Sequence, residues 1–201
     1  MRTGKSLSKL ARELKIDRSD FEQFLLRSGI KSAELHVFLS DSQVPDRDAW
    51  QNEIERLGFA AVLDPAFDVR QDAGFVTATC DGYATGFNFA LSPAANIVSY
   101  YPHIAARVGA REKCATFIWS GDIAEAYAVL SAAAALAKLA DGVYFQPAEG
   151  TTYDGNEAVE QARGAHRLIN SLGRRFSTPE PLRWIILILA AAAVLLMLLV
   201  R

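Results

Sequence analysis

Short apolar runs separated by turn residues recur along the middle of the chain. They predict six strands, at residues 35–39, 59–63, 75–80, 83–91, 114–119 and 143–146. Asp81-Gly82, between the third and fourth of these runs, is a dipeptide typical of hairpin turns. Residues 97–108 fit either a short helix or a loop that covers the sheet. The pattern therefore predicts a mostly antiparallel sheet.

Apolar positions at helical spacing predict three helices in the same region. Trp50 and Ile54 share one face of the first helix. An alanine-rich helix at residues 122–140 and a helix at residues 157–172, with Asn156 as its N-cap, follow. The order β-α-β-β-β-β-α-β predicts an α+β fold, a mostly antiparallel sheet with helices packed on one face. A ferredoxin-like core with an extra hairpin satisfies this order.

Residues 1–33 are predicted to form an N-terminal helical arm. Their apolar residues recur at helical spacing in two stretches: Leu7, Leu10, Ala11 and Leu14, then Phe21, Phe24 and Leu25. Residues 10–30 resemble small helix-turn-helix and initiation-factor N-terminal modules, which implies binding to nucleic acid. The second helix, however, offers only Glu22, Gln23 and Arg27, where a DNA-binding helix carries more basic and amide side chains. We therefore favour an accessory arm, and nucleic acid is not an expected partner.

The end of the chain is its most apolar stretch. Residues 184–200 are 17 consecutive positions without a charged or polar side chain. A helix of this length spans about 25 Å, just enough for the hydrocarbon core of a bilayer. We therefore predict a single-pass transmembrane anchor, joined to the domain by a linker at residues 177–183. The other interpretation is a buried C-terminal helix, which would usually show a few polar positions.

The charges beside this stretch predict its orientation. Five arginines precede it: Arg163, Arg167, Arg174, Arg175 and Arg183. Between residues 163 and 183 they are opposed only by Glu180, and Arg201 alone follows the stretch. Under the positive-inside rule, the α+β domain, residues 34–176, faces the cytoplasm and the anchor lies in the inner membrane.

Charge is distributed unevenly along the rest of the chain. Residues 1–34 carry a net charge of +3, whereas residues 35–162 hold seven Lys or Arg against 17 Asp or Glu, a net of −10. An acidic middle between basic ends suits a basic protein partner better than nucleic acid. Solubility alone explains the acidity equally well. Cys80 and Cys114 have no second metal ligand nearby in sequence, so both are expected to be reduced and packed inside.

Catalytic and metal-binding patterns are lacking in this sequence. Its three histidines, in a predicted strand, a loop and a helix, have no ligand at metal spacing: His36, His103 and His166. Asp64, Asp68 and Asp72 would align on a helix, but Pro65 and the apolar Phe67 and Val69 favour a loop or a strand. A solvated acidic edge is therefore favoured over a metal site. We therefore predict neither an enzyme nor a cofactor.

Tyrosines in predicted turns and loops are accompanied by acidic residues. This composition is typical of protein interfaces, and tyrosines half-buried at strand ends explain it equally well. The residues that we expect to contact a protein partner are Asp81, Tyr83, Tyr100, Tyr101 and Asp154.

Several stretches of the domain together resemble a known class of protein. They are the strand at 35–40, the helix at Trp50, Leu63-Asp64-Pro65-Ala66-Phe67-Asp68, Gly74-Phe75, Gly86-Phe87-Asn88-Phe89, the alanine-rich helix, Gly142–Pro147 and Glu149-Gly150. In this pattern residues 34–165 resemble the small α+β immunity proteins of bacterial polymorphic toxin and type VI secretion systems. The resemblance implies a non-catalytic inhibitor that binds a toxin domain and occludes its active site.

The sequence therefore leads to two functional hypotheses of different classes. The first is a membrane-anchored immunity protein whose partners are a cognate toxin and the inner membrane. The second is a membrane-tethered regulatory protein whose N-terminal helices bind DNA or a protein partner. An enzyme acting on a membrane-associated substrate is disfavoured, because no catalytic constellation is visible.

Overall fold

The computed structural model describes residues 34–119 and 123–176, and for residue 123 and residues 168–176 it describes the backbone alone. The predicted arm at residues 1–33, the linker at residues 177–183 and the anchor at residues 184–200 lie outside the described residues. No helix in the part of the chain that the structure describes is long and apolar enough to cross a membrane.

Seven strands form one sheet. They are β1 (Glu34–Leu39), β2 (Ala61–Leu63), β3 (Gly74–Cys80), β4 (Tyr83–Pro93), β5 (Lys113–Ile118), β6 (Val143–Gln146) and β7 (Thr151–Tyr153). Their order is β2-β3-β4-β5-β1-β6-β7, and each neighbouring pair is antiparallel. The α+β class and the antiparallel sheet are thus confirmed. The sequence missed β7, because three residues are too few to show an alternating pattern.

The strand order differs from that of a ferredoxin-like core. Such a core is built from split β-α-β units, in which a single strand lies between two strands joined by a helix. Here β1 and β2 flank a helix in the chain, but β3, β4 and β5 all lie between them in the sheet. The long β3–β4 hairpin, closed by Asp81-Gly82, and β5 therefore separate β1 from β2, where a ferredoxin-like core has a single strand.

Five α-helices accompany the sheet in the described residues. They are α1 (Arg47–Arg56), α2 (Ala94–Tyr100), α3 (Ala105–Val108), α4 (Ile123–Leu139) and α5 (Gly155–Phe176). Asp46 caps α1, since its side chain accepts a hydrogen bond from the Ala49 N–H at 2.7 Å. Asp154 caps α5 by accepting from the N–H groups of Asn156 at 2.8 Å and Glu157 at 3.0 Å. The N-cap of α5 is therefore Asp154, two residues before the predicted Asn156.

Helix α4 lies at the centre of the main core. It packs on strands β1 to β4 on one side and on α1 and α5 on the other. Its residues from Ala128 to Ala137 are all buried, most of them alanines. Alanine leaves the helix surface smooth, so that the sheet and two helices approach it closely. The alanine-rich run, which the sequence assigned to packing, indeed builds the core.

Two glycines of α5 provide a matched test of this close packing. A Cβ on Gly155 would lie 2.7 Å from the Cα of Lys138 in α4, whereas a Cβ on Gly164 would meet no atom within 4 Å. Gly155→Ala should therefore lower the free energy of unfolding by about 1–3 kcal/mol. Gly164→Ala should raise it by about 0.4–1 kcal/mol, because alanine restricts the unfolded chain. Urea denaturation of both variants measures the difference, and equal effects would show that α4 and α5 do not approach as closely as described.

Among the described residues, helices cover only half of the opposite face of the sheet. Helices α2 and α3 pack there on the outward residues of β1, β5 and β6, and with them they form a second core: Phe38, Ala94, Ile104, Val108, Cys114, Val143 and Phe145. The prediction that helices pack on one face is thus wrong for the two short helices. Under these helices the sheet has an apolar core on each face, and Phe38, Cys114 and Phe145 are among the strand residues that α2 and α3 bury on the outer one.

Candidate protein-binding surface

The five residues predicted to contact a partner lie in separate places. Asp81 and Tyr83 flank the β3–β4 turn, where Asp81 is exposed and Tyr83 half-buried. Tyr100 ends α2 and is 79% exposed. Tyr101 is half-buried, and its ring packs edge-on against Phe145 with 5.0 Å between ring centroids. Strands β5 and β1 lie between β4 and β6, so about 14 Å separates Phe145 from the hairpin across the sheet.

The remaining predicted residue, Asp154, serves the fold locally as the N-cap of α5. Its carboxylate accepts hydrogen bonds from the backbone N–H groups of Glu157 and Asn156. These bonds, and the one from Glu157 most of all, lower the pKa of the Asp154 carboxyl group. Nearby, the Tyr153 hydroxyl donates to Glu149 Oε2 at 2.7 Å. Burial, with help from this hydrogen bond, raises the pKa of Tyr153 to about 12. The structure does not bring the five predicted residues into one surface.

A different set of acidic residues does come together, at one edge of the sheet. The C-terminal ends of β1 and β2 and the start of β3 all lie at this edge, because of the directions in which these strands run. The loops there and the first turn of α1 carry six aspartates, which we call the acidic edge: Asp41, Asp46, Asp48, Asp64, Asp68 and Asp72. All except the half-buried Asp64 are exposed.

Two arginines and a lysine hold the loops of the acidic edge together. Arg70 donates to the Asp41 carboxylate at 3.1 Å and to its backbone carbonyl at 2.8 Å. Lys113 lies 3.6 Å from the same carboxylate. The hydrogen bond from Arg70, followed by the charge of Lys113, lowers the pKa of Asp41. Arg47 donates from Nε to the Asp64 carbonyl at 3.2 Å, so that the start of α1 is joined to the β2–β3 loop.

The β2–β3 loop is shaped by its own carboxylates. Asp68 Oδ1 accepts from the N–H groups of Arg70 and Gln71, and Asp72 Oδ2 accepts from the Asp68 N–H at 2.7 Å. The Asp64 carboxylate accepts a hydrogen bond from the Thr77 hydroxyl, and this bond is the main reason that the pKa of Asp64 is lowered. Pro65 and these backbone bonds give a loop, which is one of the two alternatives that the sequence left open. No cluster of three metal-ligating side chains occurs within the described residues.

Next to the acidic edge lies the half of the sheet that α2 and α3 leave bare. We call it the uncovered face, and it consists of outward residues of β2, β3, β4 and β5: Val62, Phe75, Thr77, Thr79, Asn88 and Ile118. Phe75 is 60% exposed, Val62 43% and Ile118 42%. A shallow depression lined by Asp64, Asp72, Phe75 and Thr77 joins this face to the acidic edge. The two together form a mixed apolar and acidic surface of the kind found at protein interfaces.

A buried cluster beneath α2 has the residue types of a catalytic site. His36 Nδ1 lies 3.8 Å from Cys114 Sγ and 3.0 Å from Thr116 Oγ1, and its Nε2 lies 3.3 Å from Glu34 Oε1. Burial raises the pKa of the Cys114 thiol to about 12 and lowers that of His36. The thiol is therefore protonated at neutral pH, and it is fully buried, whereas a nucleophilic cysteine is an accessible thiolate. We interpret this cluster as packing.

The sequence missed both the acidic edge as a unit and the buried cluster. His36 and Cys114 are 78 residues apart, and only the β1–β5 register brings them side by side. Asp64, Asp68 and Asp72 were visible in the sequence as an acidic run. Their meeting with Asp41 depends on the fold of two loops.

Both cysteines are buried and free, as expected from the sequence.

Comparison of the whole chain with protein-family models, with curated proteins and with solved structures found no match.

Proposed function

We propose that this protein is a membrane-anchored immunity protein, which binds a basic bacterial toxin without catalysis and occludes its active site. The observation that carries the proposal is the acidic edge, where six aspartates lie together at one edge of the sheet. Toxins that act on nucleic acids present basic clefts, and aspartates can occupy such clefts in place of phosphate.

The charge balance of the acidic edge supports this role. Within the described residues, ion pairs join its six aspartates to three cations, Arg47, Arg70 and Lys113. Asp48 is open to solvent, with 84% of its side chain exposed. The excess of negative charge attracts a basic surface over a distance of about one Debye length, roughly 8–10 Å at physiological salt. Such attraction raises the rate of association more than it slows dissociation.

Attachment to the inner membrane is part of the same proposal and rests on residues 184–200. A tether would hold the binding domain on the cytoplasmic side, where an incoming toxin first arrives. Confinement to the membrane surface raises the effective concentration of the inhibitor there without any new contact. Fractionation of cells that express the full chain tests this part separately from toxin binding.

Removing charge from the acidic edge should slow toxin binding. In Asp48→Asn/Asp68→Asn/Asp72→Asn, the amide oxygens keep the acceptor role of the carboxylates, while three negative charges are lost. The association rate with the toxin encoded beside this gene, its active site disabled, should fall about tenfold at low salt. The fall should become small at high salt, because ions screen the exposed charges. Surface plasmon resonance with the full chain measures both.

The matched control removes three charges from helices. Glu55→Gln/Glu157→Gln/Glu160→Gln has the same net charge, and all three positions are exposed. It should bind the toxin at nearly the wild-type rate. Equal slowing in both triple variants would mean that only net charge matters, and no binding by the wild-type chain would refute the immunity proposal.

A further inference from the structure

We propose that residues 1–33 of this chain pack on the uncovered face of the sheet. The proposal does not depend on toxin binding. Three features of the molecule support this intramolecular contact: the apolar character of the face, the point where the chain enters the sheet, and the complementary charges.

The uncovered face has the character of a buried surface. Phe75 lies flat across the neighbouring strand, so that a Cβ on Gly86 would be only 2.5 Å from its Cζ. Glycine there lets the ring lie against the sheet, yet the outer side of the ring remains 60% exposed. Val62 and Ile118 extend the apolar surface to either side, onto β2 and β5. The other half of the same face is covered by α2 and α3.

The chain enters the sheet at the margin of this face. Glu34, the first residue of β1, is paired with Ile118 of β5, and Ile118 is in turn paired with Asn88 of β4. Glu34 approaches the His36 ring, which lies on the outer side of the sheet. The backbone of Glu34, the residue to which the segment 1–33 is bonded, therefore lies beside Ile118. From there the face is four strands wide, about 14 Å, which a helix of nine or ten residues spans.

The chemistry of residues 1–33 matches this surface. Leu10 and Leu14, then Phe24 and Leu25, recur at helical spacing and offer apolar contacts to Phe75. The segment holds eight Lys or Arg against four Asp or Glu, and the uncovered face is bordered by the acidic edge. Covalent attachment raises the effective concentration of such a segment at the face far above that of a separate partner.

Thiol accessibility in the full chain tests the proposal. Thr79→Cys places a reporter on the uncovered face and leaves Phe75 intact, and Glu160→Cys places one on the exposed side of α5. The native cysteines are buried. If residues 1–33 cover the face, alkylation by iodoacetamide should be about tenfold slower at position 79 than at position 160. This ratio corresponds to a free energy of about 1.4 kcal/mol for the packing of residues 1–33 on the face. Mass spectrometry of the peptides measures both rates.

A second pair of substitutions identifies the segment that protects position 79. Leu10→Asp/Phe24→Asp, added to Thr79→Cys, should restore the rate measured at position 160, because the apolar contacts of the segment are lost. Equal rates at positions 79 and 160 in the unaltered background would overturn the proposal. So would slow alkylation that the double aspartate leaves unchanged, or protection that appears only as protein concentration rises, which would indicate a second copy on the face.

Discussion

Replacement of Trp50 by alanine should lower the free energy of unfolding by about 3–5 kcal/mol. The Trp50 side chain is completely buried between α1 and the sheet. Its ring lies 5.8–6.1 Å, centroid to centroid, from those of Phe67, Phe89 and Phe117. Its Nε1 donates to the Ala132 carbonyl in α4 at 2.9 Å. The substitution removes a large apolar volume at a point where helices, sheet and the β2–β3 loop meet.

Urea denaturation followed by circular dichroism measures this loss. Trp50→Phe keeps most of the apolar volume and removes the hydrogen bond, so it should cost clearly less than Trp50→Ala. Tyr100→Ala is the surface control and should change stability by no more than about 0.5 kcal/mol, because Tyr100 is 79% exposed. A Trp50→Ala variant as stable as the Tyr100→Ala variant would contradict the described core.

Acid should destabilise the fold through His166 on α5. This ring is stacked on Tyr127 of α4 with 3.4 Å between centroids, and Phe59 packs edge-on against it at 5.3 Å. Burial lowers the pKa of His166 from 6.5 to about 4, against the opposing effect of a hydrogen bond with the Tyr127 backbone. The imidazole is therefore neutral in the folded protein at neutral pH.

The direction of the pH effect follows from which state binds the proton. Between pH 6.5 and pH 4 the unfolded chain protonates His166 and the folded chain does not. The contribution of His166 is thus complete above pH 6.5 and is lost as pH falls towards 4, by about 3 kcal/mol in all. Urea denaturation across this range measures the loss.

His166→Phe is the matched variant for this experiment. Phenylalanine keeps an aromatic ring for the stack on Tyr127 and has no group that titrates. Its stability should fall about 3 kcal/mol less than that of the wild type between pH 6.5 and pH 4. Burial also lowers the pKa of His36, but His36 is present in both proteins and cancels in the difference. Parallel pH profiles would show that His166 is accessible in the folded state.

The candidate binding surface was only partly visible in the sequence. Asp64, Asp68 and Asp72 could be recognised as an acidic loop, since Pro65 prevents a helix there. That Asp41 belongs to the same surface depends on Arg70, which bridges two loops 29 residues apart. Asp154 stood out in the sequence as a surface acid, yet it serves as a helix cap. A polar residue near a helix start has two possible roles, and only the backbone geometry separates them.

Local patterns by themselves determined the class of the fold and most of its elements. The Asp81-Gly82 hairpin, the helix containing Trp50, the alanine-rich α4 and the strand β1 follow from turn chemistry and from the spacing of apolar residues. These signals act between residues close in the chain. Six of the seven strands were recognised in this way, and only the short β7 was not.

Tertiary structure alone decided which elements are neighbours. The position of β1 between β5 and β6, the helices on both faces and the bare half of the sheet depend on contacts between distant residues. Apolar periodicity shows that a face must be buried, but the burial energy is nearly the same whichever apolar element covers it. Which apolar element packs on a given face of the sheet depends on shape complementarity and on strand register, and both are defined only in the folded protein.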